Sequence, residues 1–164
     1  MNQCILLSMA LAVLAACSTN DSAINADKDS IQHTITFHTL TPDESGIQFT
    51  NTITETDSFN LFNYEYIYNG GGVAAGDINN DGLTDLYFTG NQVSDKLYLN
   101  KGNLKFEDIT ATAIGKKAEE GWRTGVVMAD VNNDGLLDIY VSRSGLPKDK
   151  SLLGNLLYVN NGDL

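Results

Sequence analysis

An acidic turn that occurs twice in the chain constrains the fold more than any other feature. Residues 77–85 read DINNDGLTD and run into LYF, and residues 130–138 read DVNNDGLLD and run into IYV. Shifting the sequence by 53 residues makes ten of the sixteen positions in residues 72–87 identical to those in residues 125–140. A repeat of this period, built from short segments, indicates an array or a propeller rather than a single sandwich.

Each repeat is predicted to hold four strands. In the first repeat they cover residues 71–75, 86–89, 96–99 and 104–109, each bounded by Gly, Asn or Asp. A further match aligns residues 97–102 with residues 157–162. The offset is now 60 residues instead of 53, and the seven extra residues lie in the loop around residues 144–147. The Gly and Ala residues of the first strand fit an innermost, crowded position. We therefore predict an all-β fold, a partial β-propeller of about two four-stranded blades.

Two further sequence patterns concern how the blades of the predicted propeller would close into a ring. Residues 47–51 share the apolar-x-Phe-polar-Asx pattern of residues 104–108, which predicts an outer strand that completes the last blade. Residue 164 aligns with Leu104, where the fourth strand of the second repeat would begin. Propellers need about four to eight blades. We therefore expect the sequence to be the N-terminal part of a longer protein.

The N-terminal residues are typical of an exported lipoprotein. Residues 1–16 carry no charge and contain a short apolar run, which predicts a signal peptide. Residues 14–17, LAAC, resemble the bacterial lipobox, in which Cys17 would be lipidated; the alternative is a secretory signal with a bystander Cys. Residues 17–30 are polar and acidic and predict a flexible tether. The expected location is the bacterial cell envelope, at the outer membrane.

These patterns divide the chain into five predicted regions. A signal peptide covers residues 1–16, a tether residues 17–30, and N-terminal strands with the possible ring-closing strand residues 31–69. The first repeat covers residues 70–121, and the second, truncated repeat covers residues 122–164.

The acidic charge limits the possible partners. The formal net charge is -11, from 21 acidic and 10 basic residues, and the lysines are scattered rather than grouped. This balance argues against nucleic acid and against anionic lipid surfaces, so the only membrane contact expected is through the lipid anchor.

The two acidic turns are candidate calcium sites. We name residues 77–85 the first acid loop and residues 130–138 the second acid loop. Calcium prefers six to eight hard oxygens, and a D-x-N-x-D-G-x-x-D loop can direct carboxylate, amide and main-chain oxygens to one point. The predicted ligands, for two Ca²⁺ ions, are Asp77, Asn79, Asp81, the Leu83 carbonyl and Asp85 in the first acid loop, and Asp130, Asn132, Asp134, the Leu136 carbonyl and Asp138 in the second.

Two alternatives to this site were weighed. An EF-hand is disfavoured because its bidentate Glu at position twelve is replaced by Phe88 in one copy and Val141 in the other, and a strand follows instead of a helix. The second alternative is a pair of Asx turns that hold no ion. The recurrence of every ligand position in both copies favours the metal site.

Residues 72–85 and 125–138 resemble the FG-GAP repeats, also called VCBS-type repeats, of integrin α-chain propellers and bacterial surface lipoproteins. The wider run of residues 64–91 is similar to the cartilage-acidic-protein-like group, whose longer members carry a C-terminal ASPIC/UnbV domain. The resemblance implies a seven-bladed propeller with calcium in the loops that join the first and second strands of its blades.

Two function classes follow from these patterns. The first is a non-enzymatic, calcium-stabilised, surface-anchored propeller that binds an extracellular protein or glycan. The second is the N-terminal part of a propeller enzyme acting on extracellular glycans, with catalytic residues beyond residue 164; the sequence itself offers no catalytic residue. Tyr64, Tyr66 and Tyr68 share one face of a predicted strand, where packing between blades is favoured over stacking on sugars.

Overall fold

The computed structural model describes residues 36–119, 121–144 and 154–164. The predicted signal peptide, Cys17, the tether and residues 145–147 of the predicted insertion loop lie outside these residues. The described elements are helix α1 (Pro42–Ser45), strands β1 (Val73–Gly76), β2 (Asp85–Phe88), β3 (Lys96–Asn100) and β4 (Phe106–Asp108), helix α2 (Thr110–Ala113), a 3-10 helix (Gly115–Glu119), and strands β5 (Trp122–Ala129), β6 (Asp138–Ser144) and β7 (Leu156–Tyr158).

The strands form two antiparallel sheets in simple up-and-down order. The first sheet has the order β1-β2-β3-β4 and the second has β5-β6-β7. The register of β1 on β2 pairs Gly76 with Asp85, and β5 on β6 pairs Ala129 with Asp138, so each acid loop is a hairpin connection between the first two strands of its sheet. The prediction of an all-β fold with consecutive antiparallel blades is confirmed.

The two sheets meet through their first strands. β1 contacts β5, and Gly76 leaves room for this approach, because a Cβ there would lie 2.7 Å from Leu137 Cδ1 and 3.0 Å from Met128 Sδ. This is the arrangement of two adjacent blades around a propeller axis, in which inner strands crowd together. The contact agrees with the innermost position predicted for the first strand, which stays a prediction.

The core lies between these sheets and follows the alternation of the strands. Along β2, Asp85 and Tyr87 are buried while Leu86 and Phe88 are half-buried, as expected for side chains that alternate between faces. Buried apolar residues from both sheets and from the first acid loop form one cluster: Ala74, Ile78, Tyr87, Leu97, Leu99, Ile139 and Val141.

The segment before the first blade differs from its prediction. Residues 36–69 contain α1, turns and one isolated bridge between Thr56 and Phe59, and residues 47–51 form no strand here. Their expected pairing with the last blade of a longer ring stays a prediction. The amide of Gln48 donates to Tyr98 Oη at 3.2 Å, and Phe49 stacks on Phe88 with ring centroids 5.2 Å apart. The segment therefore packs on the first blade through side chains instead of pairing with a sheet edge.

None of Tyr64, Tyr66 and Tyr68 lies on a strand, and Tyr66 and Tyr68 lie on turns. Tyr64 packs against Phe59 and Trp122, with centroid distances of 5.6 Å to each ring. Tyr66 and Tyr68 remain 54% and 62% exposed. Local turn hydrogen bonds, such as that from the Ile67 amide to the Tyr64 carbonyl at 3.2 Å, replace the expected strand pairing.

No helix in the described ranges combines the length and the apolar character needed to cross a membrane.

Candidate metal centre

The first acid loop folds around the side chain of Asp77, at the end of β1. The Asp77 carboxylate accepts hydrogen bonds from the amides of Asp81 at 3.0 Å and Gly82 at 2.7 Å. Asp81 in turn accepts from the Leu83 amide at 2.8 Å and from Asn79 Nδ2 at 3.0 Å. Gly82 has φ +86°, a conformation that glycine adopts without a Cβ penalty. Three predicted ligands are thus held within one tight turn.

The second acid loop repeats this hydrogen-bond network. Asp130 accepts from the amides of Asp134 at 3.2 Å and Gly135 at 2.9 Å. Asp134 accepts from the Leu136 amide at 2.9 Å and from Asn132 Nδ2 at 2.8 Å. The pKa of Asp130 is lowered below its usual value, mainly by the hydrogen bond from the Gly135 amide, which favours the ionised carboxylate. The sequence repeat is therefore also a repeat of side-chain geometry.

Asp85 occupies a different environment from the carboxylates of the turn. It is fully buried at the start of β2, and its two oxygens accept from the Ile78 amide at 2.9 Å and the Asn100 amide at 2.8 Å. Burial raises the pKa of Asp85, and the hydrogen bonds from Asn100 and Ile78 oppose that rise. Asp85 ties the acid loop to the first strand after it and to the end of β3.

Asp138 has the same role in the second sheet. It is 1% exposed, and its oxygens accept from the Val131 amide at 3.0 Å and the Asn160 amide at 2.8 Å. The ninth position of each acid loop therefore connects the loop to the sheet. A bare Asx turn has no need of such a residue.

Two asparagines complete this framework, and the sequence analysis assigned them no role. The Asn100 side chain donates to the Thr84 carbonyl at 2.9 Å. The Asn160 side chain donates to the Leu137 carbonyl at 3.2 Å and also to the Ile78 carbonyl of the first acid loop at 2.8 Å. The sequence did contain a signal for these residues, because Asn100 and Asn160 occupy equivalent positions when residues 97–102 are aligned with residues 157–162.

The donor chemistry of the acid loops fits a hard cation, since the side chains offer carboxylate and amide oxygens and no nitrogen or sulfur ligand. The hydrogen bonds of the turns do not prevent these oxygens from binding a cation, because each carboxylate oxygen has two lone pairs. Across the described ranges, however, no group of three or more Asp, Glu, His or Cys side chains converges as a metal-binding cluster. The observed bonds are also those of the ion-free Asx turn, so calcium at these ligands remains a prediction.

A second polar centre lies where the two blades meet, and sequence reasoning missed it. Asp95 and Arg123 are 0% and 1% exposed, and Arg123 Nε donates to Asp95 Oδ1 at 2.6 Å. Tyr87 Oη donates to Asp95 Oδ2 at 2.9 Å, and Arg123 also donates to the Val93 and Gly121 carbonyls. Burial raises the pKa of Asp95, and the Arg123 guanidinium opposes the rise. This buried pair joins the β2–β3 connection of one blade to β5 of the next.

Comparison with known proteins agrees with the repeat. Residues 77–141 match the family model of the FG-GAP-like repeat, a match that begins at the first acid loop and ends in β6. No curated protein and no solved structure shows a significant match to the chain. This match supports the predicted FG-GAP repeat over residues 77–141, and such repeats suggest a propeller-like binding module. The similarities to lipoproteins, to the ASPIC/UnbV group and to integrin α-chains remain predictions.

Proposed function

We propose that this chain is a calcium-stabilised β-propeller module, anchored at a bacterial surface through Cys17, that binds an extracellular protein or glycan. The FG-GAP-like repeat and the paired blades support the binding-module part of this proposal. The anchor and the surface location rest on the N-terminal sequence alone.

The observation that carries the calcium part is the identical hydrogen-bond network of the two acid loops. Asp77 and Asp130 each gather two amides, and Asp81 and Asp134 each face the Asn two positions earlier. In the first acid loop burial raises the pKa of Asp85 and the charges of Asp81 and Asp77 add to the rise, and a divalent cation would relieve this repulsion between carboxylates. The residues of each acid loop would hold the ion. Asp85 and Asp138, the buried ninth residues, would connect the ordered loop to its sheet.

The first test is thermal unfolding of the full chain carrying Asp81→Ala, in excess calcium and in chelator. Extracellular calcium modules bind on the order of 10⁻⁴ to 10⁻³ M. At about 100 times the Kd, binding stabilises by about 2.7 kcal/mol per ion. For a chain of this size the variant should therefore lose about 5 to 10 °C in calcium and little in chelator.

Asp57→Ala is the matched control, because it removes an equal charge from outside the acid loops. It should leave the calcium-dependent gain in Tm unchanged. Equal losses for Asp81→Ala with and without calcium would reject the metal role.

The partner is tested separately with the mature protein. A glycan array and a pulldown against extracellular proteins, each run with and without chelator, should give a ligand whose binding weakens when calcium is removed. A chelator-independent ligand would separate the binding function from the acid loops.

A further inference from the structure

The two acid loops are joined by side-chain hydrogen bonds that cross between the blades. Asn80 Nδ2, in the first acid loop, donates to the carbonyl of Gly135, the turn glycine of the second, at 3.1 Å. In the other direction, Asn160 Nδ2 donates to the Ile78 carbonyl of the first acid loop at 2.8 Å, while the Asn160 amide binds Asp138 of the second at 2.8 Å. Each loop is therefore held partly by the other blade.

The bonds contact the backbone of the turns. Asn80 has φ +57° and lies between the predicted ligands Asn79 and Asp81, so whatever orders those ligands also orders the backbone that carries the Asn80 side chain. Gly135 follows Asp134 directly, and its amide binds Asp130 at 2.9 Å. Ordering of the first turn is thus passed to the peptide on which the second turn closes.

We propose that Asn80, assisted by Asn160, couples the acid loops so that a cation held by one raises the affinity of the other. This inference rests on the proposed calcium function. The entropy lost in ordering the second loop is smaller once its neighbour is ordered, which gives positive cooperativity.

The sign of the coupling separates this mechanism from simple electrostatics. Each acid loop carries three carboxylates, and a divalent cation in one loop reduces the negative field that attracts a cation to the other. Through-space charge alone would therefore make the second ion bind more weakly. Only coupling through the bonded turns makes it bind more tightly.

The experiment is calorimetric titration of the full chain with Ca²⁺ alone. The equal hydrogen-bond networks predict two loops of similar intrinsic affinity. Coupling by factors of about 5 to 150 then corresponds to a Hill coefficient of about 1.4 to 1.8 for two ions. In Asn80→Gly, two ions should still bind, and the Hill coefficient should fall to about 1 or below, because the through-space effect of charge is then no longer outweighed.

Asn133→Gly is the matched control. Asn133 is the equivalent residue of the second acid loop, with φ +63°, and among the described residues the bond to the other loop's turn glycine comes from Asn80 and not from Asn133. Gly suits a positive φ at both positions, so the two variants remove a side chain without adding backbone strain. The control should keep the Hill coefficient of the unmodified chain.

Amide hydrogen exchange of the unmodified chain gives a second measurement that requires no variant. Coupling predicts that residues 77–85 and 130–138 gain protection at the same calcium concentration. Separate midpoints, two ions bound with a Hill coefficient of 1 or less, or an unchanged coefficient in Asn80→Gly would overturn the coupling alone. Absence of any calcium uptake would overturn the proposed function, and the coupling with it.

Discussion

At the scale of single residues, equivalent positions of the two repeats have different packing. Gly72 and Gly125 align in the sequence repeat. A Cβ on Gly72 would lie 3.0 Å from the Thr124 carbonyl oxygen and 3.0 Å from the Val126 amide nitrogen of the neighbouring blade, whereas a Cβ on Gly125 would meet nothing closer than Ser142 at 3.8 Å. The first glycine is therefore needed for close approach of the blades, and the second is not.

This difference predicts unequal effects of the same substitution. Gly72→Ala should destabilise the chain by about 1 to 3 kcal/mol, because backbone atoms of the second blade must move. Gly125→Ala should change the free energy of unfolding by less than about 1 kcal/mol, because it adds a methyl group at ordinary contact distance. Urea unfolding of both variants measures the difference, and equal losses would contradict it.

At the scale of elements, a salt bridge and two side-chain hydrogen bonds fix the end of the first blade. Lys96 of β3 contacts Asp108 of β4 at 2.6 Å, and Asp108 also accepts from the amide and the hydroxyl of Thr110 at the start of α2. Desolvation raises the pKa of Asp108, but the hydrogen bonds from Lys96 and Thr110 outweigh it, so the pKa is lowered overall.

A carboxyl with a lowered folded-state pKa contributes stability above its unfolded pKa of about 3.9, and loses that contribution as the pH falls through the folded-state value. Asp108→Asn should therefore cost up to about 1 kcal/mol near pH 6, a modest loss because the pair is partly exposed. The difference from the unmodified chain should shrink below about pH 4.

Urea midpoints measured across this pH range test the sign. Glu107→Gln is the control, since its contact with Lys101 is longer, at 3.6 Å, and more exposed. That variant should show almost no change at either pH. A cost for Asp108→Asn that persists undiminished at low pH would exclude the charged interaction as its cause.

At the scale of the whole molecule, the buried Asp95–Arg123 pair holds the two blades together. The partners lie on different blades, and neither is exposed by more than 1%. Removing one charge from such a pair leaves the other buried without compensation, which costs far more than the net worth of the pair.

Arg123→Met should therefore lower the free energy of unfolding by about 3 to 5 kcal/mol. The double variant Arg123→Met with Asp95→Asn should recover part of that loss, because the unpaired carboxylate is gone. Fluorescence of Trp122, the single tryptophan, reports on this junction during urea unfolding. A double variant no more stable than Arg123→Met would show that the charge of Asp95 is not the cause.

The local features of this fold could be predicted from the sequence because they depend on residues that are close together in the chain. Gly, Asn and Asp bound each strand, so all four strands of the first blade were predicted close to their observed places, beginning with β1 at Val73–Gly76. The acid loops were found because each is contained in nine consecutive residues that occur twice.

Contacts between distant residues were decided by the tertiary structure alone. The pattern of residues 47–51 predicted a strand, whereas in the described residues this segment packs on Phe88 and Tyr98 through side chains. The Asp95–Arg123 pair could not be predicted from the repeat, because the residue equivalent to Asp95 in the second repeat is Asn155, which carries no charge. The sequence by itself determined the strands of the first blade and the acid loops, through local periodicity and turn chemistry. Only packing decided which side chains cross between the blades, since those partners are brought together by the fold and carry no shared local pattern.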